Sequence, residues 1–533
     1  MLSVKTIFIS YVSLIFLVVL NSCSSVDSVD TVIGSYNSTK LYNKPLFSQI
    51  TKESMAYEGI ARNPVIVIHG FLGSRLENIE TGRNVWGDFK IGELLNGYSN
   101  EQLKDFSIPI SYENHPDRHM NTIKPVGMLE TFTFVTLVGT KIQLSVYDKL
   151  LRILNQAGYV QEGKQLPNDK TFYSLFTFYY DWRKSIDFNA ARLHDFIKSK
   201  GSYLKKEYRK LYGIDNYDVQ FDIVAHSMGG LLSRYYLRYG NQLLPEDGSL
   251  PEFDWRGSKN IDKVIIVGTP NAGYLDSVMQ LVNGLKIYSN PFVPTYPPAV
   301  IGTFPGVYQM MPLTSTRSLL YSNNPDGKPV NLFDPQVWLD MKWGLADPKQ
   351  DKFLKLLLPE VKTSEERRKI AIAHLNKNLK KAKQFVDAMR VHKEPPGDVA
   401  LYLFLGDSLK TIKTAEVYIK TGKLKVTEFG AGDGVVLTSS ALMDEREGQK
   451  WEPFLISPIE WDAVIYIKAA HLDITESYAF IDNVTHYLLI TPTKNQMTKR
   501  KYFKSVMETI KKQFMENLQD QLQGYQIGQK QVF

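Results

Sequence analysis

Residues Asp222-Ile223-Val224-Ala225-His226-Ser227-Met228-Gly229-Gly230 constrain this chain more than any other segment. An apolar run of strand character enters them, and the helical stretch Leu231 to Tyr239 leaves them, stopped by Gly240. A serine at so sharp a strand-to-helix corner sits on strained backbone, and strand and helix crowd each other there, so its neighbours two residues before and after must be small. Ala225 and Gly229 meet that need; Ala225 stands where the G-x-S-x-G pattern has glycine and adds one methyl group. The segment predicts a nucleophile elbow with Ser227 at its tip.

Short β-rich runs precede Gly-containing turns and amphipathic helices elsewhere, which predicts an α/β fold: a mostly parallel sheet with helices on both faces. The candidate strands are Val65 to Ile68, Phe172 to Tyr179, Gln220 to Val224, Lys263 to Val267, Val399 to Leu405 and Trp461 to Ile467. Between Tyr274 and Pro396 the strand signal lapses into Pro-rich loops and then charged helical text from Leu354 to Met389, so residues 274–396 read as an inserted cap or lid. The core is then expected in two parts, 62–273 and 397–495. Residues 496–533 read as a basic amphipathic C-terminal helix and tail, in which Phe503, Met507, Ile510, Phe514, Leu518 and Leu522 would share a helical face. That face suits either packing on the domain or an anionic lipid surface.

The chain begins with Lys5, an apolar run from Ile7 to Leu20, and Asn21-Ser22-Cys23, the layout of a signal peptide over residues 1–22. The run is short for a bilayer span of about 20 residues. Leu20-Asn21-Ser22-Cys23 resembles a bacterial lipobox, which implies lipidation at Cys23, the only cysteine of 533 residues. Residues 23–61 then read as the lipidated cysteine and a polar spacer, and the protein is expected to be exported and membrane-anchored on a periplasmic or cell-surface face. With one thiol, a disulfide framework or a thiolate zinc site is excluded. The net charge of +7 is too dilute to imply nucleic acid. His115-Pro116-Asp117-Arg118-His119 spaces two histidines by four, but Pro116 disfavours a helix and no third ligand is evident. No metal and no cofactor are expected.

A serine hydroxyl needs a base to take its proton and donors for the developing oxyanion. Val65-Ile66-Val67-Ile68-His69-Gly70-Phe71-Leu72-Gly73 is a strand ending in a Gly-rich loop, so the Phe71 N–H is one candidate oxyanion donor and the Met228 N–H the other. His69 is read as shaping that loop rather than as a base. The order serine, acid, histidine places the partners after Ser227. Asp433, in Gly432-Asp433-Gly434, competes with Asp407, which follows a strand. His471 follows a strand exit, His486 lies in helical text, and His374 and His392 belong to the charged helix and its end, so His471 is favoured.

These residues resemble a known family. Pro64 to Ser74, Tyr180-Asp181-Trp182-Arg183, Ala225 to Gly230, Gly268-Thr269-Pro270-Asn271-Ala272-Gly273, Met310-Met311-Pro312 and Gly432-Asp433-Gly434-Val435-Val436 look like the lecithin:cholesterol acyltransferase family in order and spacing, over Pro64 to about Ile490. The resemblance implies an α/β-hydrolase core that forms an acyl-serine and passes the acyl group from a lipid ester to an alcohol or water. It implies Ser227 as nucleophile, Asp433 rather than Asp407 as the acid, and His471 as the base. Asp181-Trp182-Arg183 would buttress the site, and Trp86 resembles the lid-region tryptophan that contacts the scissile ester. Mammalian members pin that lid with a cystine, which this chain lacks. The expected activity is that of a serine lipase, phospholipase or O-acyltransferase; an amidase or peptidase on the same fold and a non-catalytic binding lipoprotein are the alternatives.

Overall fold

The computed structural model describes residues 49–90, 97–110, 122–135, 141–286 and 294–497, except positions 216, 325, 398 and 495, together with the isolated positions 508 and 512. Cys23 with its leader and spacer, the histidine pair at 115 and 119, and nearly all of the C-terminal amphipathic segment lie outside the described residues.

Six strands build the central sheet: β1 Val65–Ile68, β2 Leu175–Phe178, β3 Phe221–His226, β4 Ile261–Val267, β5 Ala400–Gly406 and β6 Ala463–Ile467. They lie in the order β6-β5-β4-β3-β1-β2, and every pairing is parallel. These are the six strands read from the sequence, with ends shifted by up to three residues because ladder pairing, rather than composition, decides where a strand stops. The near-continuous Val, Ile and Leu runs follow from burial on both faces. Alternate side chains divide accordingly: Ile66, Ile68, Ile223, Ala225, Val264 and Ile266 enter one core cluster, and Val65, Val67, Val224, Ile265 and Val267 the other.

Helices cover both faces. Helix α1 (Asp148–Gln156) packs Leu150, Leu151 and Leu154 into the second cluster. Helices α2 (Ile186–Tyr212) and α3 (Met228–Tyr239) belong to the first. Among the described residues of 274–396 none joins this sheet; they carry α4 (Leu275–Asn283) and α5 (Ser364–Arg390), with shorter helices and small strands between them. The charged text from Leu354 is two helices, because the chain breaks after Leu357 at Leu358-Pro359 and Thr363 then caps α5 by accepting the Glu366 N–H. Helix α6 (Thr438–Leu442) follows the loop that holds Asp433, and α7 (Tyr478–Leu489) packs Phe480, Val484 and Leu488 on the second face. This is the α/β-hydrolase architecture, a doubly wound sheet in which the chain turns from β2 back across β1 to β3. Such a sheet binds ligands at the carboxyl ends of the strands beside that reversal.

One large element was not read from the sequence. Leu409–Tyr418 and Lys423–Gly432 form a long antiparallel hairpin that also pairs with Leu319–Tyr321. Its strands carry many Lys, Thr and Glu residues because much of its surface is exposed, so the apolar runs that reveal core strands are missing.

Candidate active site

Ser227 leaves β3 with φ 55° and ψ −125°, a conformation that costs a non-glycine residue about 1–3 kcal/mol. Neighbours hold it there. Its N–H donates to the Val267 carbonyl at 2.8 Å, and its own carbonyl accepts from the Gly230 N–H at 2.9 Å and the Thr269 hydroxyl at 2.8 Å. Helix α3 starts so close to β1 that a Cβ on Gly229 would stand 2.5 Å from the His69 carbonyl oxygen and 2.8 Å from that of Ile68. The methyl of Ala225 fits, fully buried, with Ile68 and Ile266 as its register partners.

His471 follows β6, and Asp433 ends the long hairpin. The His471 N–H donates to the Asp433 carbonyl at 2.9 Å, which ties the two loops together. Their side chains meet as well: His471 Nδ1 lies 2.7 Å from Asp433 Oδ2, and His471 Nε2 lies 2.9 Å from Ser227 Oγ. The other carboxylate oxygen, Asp433 Oδ1, accepts the N–H groups of Val435 at 2.9 Å and Val436 at 2.6 Å. Burial by itself would raise the Asp433 pKa, but the adjacent His471 and these amides outweigh it and hold the carboxyl below its ordinary range. An acceptor-only carboxylate makes Nδ1 the protonated nitrogen and leaves the Nε2 lone pair facing the serine hydroxyl. That order of groups can take the serine proton during attack on a carbonyl and return it to a leaving group.

The rival residues lie elsewhere. Asp407 is exposed and accepts from the Ser408 hydroxyl, and His486 is exposed near the end of α7. His374 is half-buried along α5, and His392 faces Glu445 at 3.6 Å.

The loop after β1 lies against the serine, since a Cβ on Gly70 would come within 2.6 Å of Ser227 Cβ. Neither the Phe71 N–H nor the Met228 N–H donates to a protein acceptor among the described residues. Helix α3 begins at Met228, so its positive end also faces this space. His69 shapes the loop. The Tyr180 N–H donates to His69 Nε2 at 3.1 Å, so the proton sits on Nδ1, which reaches the Gly70 carbonyl at 2.7 Å. Complete burial pushes the His69 pKa down to about 3 and keeps the ring neutral. Leu72, at φ 64°, offers its carbonyl to the Trp86 indole N–H at 2.9 Å.

Trp86 is fully buried and packs on Phe106 and Trp182, with ring centroids 5.5 and 5.6 Å apart. Beside it, Arg183 clasps Asp181 in a buried two-point pair, Nε to Oδ1 at 2.9 Å and Nη2 to Oδ2 at 2.8 Å. Its Nη1 reaches the carbonyls of Asp105 and Phe106 at 2.9 and 3.0 Å. Two neighbours of the site escaped sequence reasoning, Tyr147 and the ring of His226. No motif surrounds Tyr147, and His226 was visible only as a letter within the elbow.

Residues 111–343 match the family model for lecithin:cholesterol acyltransferase. The matched segment, less than half of the chain, is similar to that family. It contains Ser227 and the Asp181-Trp182-Arg183 signature, whereas Phe71, Asp433 and His471 lie outside it, so their placement rests on the geometry above. Similar solved structures include the Tle4-Tli4 complex, at 13% identity over 81% of this chain and 99% of that one, with a TM-score of 0.42. The mature lipase BlEst2 of Bacillus licheniformis covers 81% of this chain and 95% of its own at 12% identity and a TM-score of 0.31. The phospholipase PlaB of Legionella pneumophila covers 69% and 62% at 12% identity and a TM-score of 0.30. No curated protein matches the chain. Among the described residues, no cluster of three or more His, Cys, Asp or Glu side chains is arranged to hold a metal ion, and no helix is long and apolar enough to cross a membrane.

Proposed function

We propose that the chain is a serine-dependent lipid acyl-ester hydrolase or O-acyltransferase, with Ser227 as nucleophile, His471 as general base and Asp433 as the acid that orients it. One observation carries this reading: a serine on a strained elbow 2.9 Å from an imidazole whose other nitrogen lies 2.7 Å from a buried carboxylate. In the first step Ser227 Oγ bonds to the ester carbon while its proton passes to His471 Nε2. The bond to the leaving alcohol then breaks as His471 protonates that oxygen. Water or a second alcohol repeats the sequence in reverse and frees the serine. The developing oxyanion is assigned to the Phe71 and Met228 N–H groups, both without a protein acceptor among the described residues.

The family match supports lipid esters as the substrate class. Cys23 as a lipidated anchor, and with it an exported protein held at a membrane surface, is part of the same proposal and rests on the sequence alone. Substituting Ser227→Ala should abolish both turnover and labelling by a fluorophosphonate probe in a protein that still melts cooperatively; labelling that persists in the variant would remove Ser227 from the mechanism. Mass spectrometry of products from labelled phospholipid, with and without a sterol or other alcohol, separates hydrolysis from transfer. For the anchor, Cys23→Ala should move the protein out of the membrane fraction and eliminate incorporation of labelled palmitate.

A further inference from the structure

Two buried side chains outside the proton-transfer line join its separate parts. Tyr147, just before α1, is 2% exposed, and its hydroxyl accepts the Gly70 N–H at 2.8 Å. The same hydroxyl lies 2.9 Å from His226 Nδ1, and His226 Nε2 lies 3.0 Å from the His471 carbonyl oxygen. Directions follow from donor chemistry. A carbonyl only accepts, so His226 Nε2 carries the proton and Nδ1 is left with a lone pair. Tyr147 must therefore donate to Nδ1, which leaves its oxygen lone pairs for Gly70. The bridge runs from Gly70 N–H to Tyr147 O–H to the His226 ring and on to the His471 backbone. Burial, with some help from His471, pushes the His226 pKa down to about 3, so the ring stays neutral.

Its endpoints distinguish this bridge from ordinary satisfaction of buried polar groups. One is the residue before Phe71, on the loop that follows β1. The middle is the residue before Ser227, at the end of β3, and the far end is His471 itself, on the loop after β6. These three segments come from separate strands and must agree to within a fraction of an ångström if donor, nucleophile and base are to act on one carbonyl. The loop after β1 is pinned at further points, among them Leu72 by Trp86, the His69 carbonyl by the Tyr180 hydroxyl, and the Gly70 carbonyl by the His69 ring. Only the Tyr147 contact reports the position of the base to it among the bonds described.

We infer that Tyr147 and His226 are positioning residues: together they set the Gly70–Phe71 oxyanion loop against the His471 backbone, so that stabilisation of the tetrahedral intermediate depends on a phenol and an imidazole that never touch the acyl group. The inference rests on the triad and oxyanion reading above.

The test uses the full chain with Tyr147→Phe, His226→Gln and the double variant, each with a melting curve. Removing one oxyanion donor outright costs about 10²–10³ in turnover, so a displaced donor is expected to cost about tenfold or more. That loss should fall on kcat, with KM for a p-nitrophenyl ester nearly unchanged. Affinity for a trifluoromethyl ketone, whose adduct with Ser227 places an anionic oxygen in the hole, should weaken in proportion. A purely structural tyrosine would lower stability without linking kcat to that inhibitor. The double variant should be no worse than the worse single one, because either substitution opens the same bridge. Wild-type kcat in a folded Tyr147→Phe protein, or losses that multiply in the double variant, would overturn the inference. If Tyr147→Phe does not fold, His226→Gln carries the same kcat and inhibitor comparison. A wild-type protein that fluorophosphonate does not label would instead bring down the underlying triad reading, and the bridge with it.

Discussion

Replacing Asp433 by Asn tests the proton path with almost no change in shape. Asp433 Oδ1 accepts two backbone N–H groups, from Val435 and Val436, and only an oxygen can fill that position. An Asn side chain must therefore keep its carbonyl there and turn its amide NH₂ toward His471 Nδ1, where Oδ2 lies 2.7 Å away in the native protein. Two donors cannot face each other, so the imidazole gives up its Nδ1 proton and takes the tautomer protonated at Nε2. The nitrogen 2.9 Å from Ser227 Oγ then offers a proton instead of accepting one. In a serine protease the same exchange lowers turnover by about 10⁴, which corresponds to about 5.5 kcal/mol of lost transition-state stabilisation. The assay is kcat/KM on a short-chain p-nitrophenyl ester, with a melting curve to show that the amide leaves the fold intact. A folded Asp433→Asn protein within tenfold of wild type would refute the reasoning. So would an inactive Asp407→Asn protein alongside an active Asp433→Asn one, since Asp407 is exposed and bonded to Ser408.

Gly229→Ala puts a methyl carbon 2.5 Å from the His69 carbonyl oxygen; prising α3 from β1 should cost about 1–3 kcal/mol in urea unfolding and at least as large a share of turnover, and a fully stable, fully active variant would contradict the packing described. Arg183→Met strands the buried Asp181 carboxylate, a loss of about 3–5 kcal/mol, read as a lowered denaturation midpoint; an unchanged midpoint would mean that the pair is not structural. The buried histidines set the acid response. His226 has a folded pKa of about 3, below its unfolded value, so the unfolded chain binds the proton first as pH falls below about 6.5 and stability declines from there toward the folded pKa. Between pH 6.5 and 4.5 that one residue contributes about 2 kcal/mol of the decline, and His226→Gln should flatten the denaturant midpoint over that range by this amount; an unaltered pH slope would show that the ring is not held neutral.

Much of the sheet was legible in the linear text because parallel strands buried on both faces must be short apolar runs, and six such runs are the six strands of the sheet. The elbow was legible for a related reason: a Cβ on Gly229 would stand 2.5 Å from the His69 carbonyl oxygen, which leaves no room for a side chain there, so the constraint is written as a residue type. Partnership across the chain was not. Asp407 and Asp433 both stand beside glycine near a strand end, and nothing local says which one meets His471. The fold brings Asp433 there through a hairpin whose exposed strands carry too many polar residues to betray it. Trp86 illustrates the opposite limit, a motif position whose tertiary setting is a buried cluster with its indole N–H spent on Leu72. Tyr147 left no trace at all in its neighbours, because its role comes from contacts 77 and 79 residues away. Sequence determined which segments had to be strands, where the backbone had to be tight and which residue types had chemistry to offer. Tertiary structure decided which of them meet, because a hydrogen bond of 3 Å between distant residues depends on every turn of the chain between them.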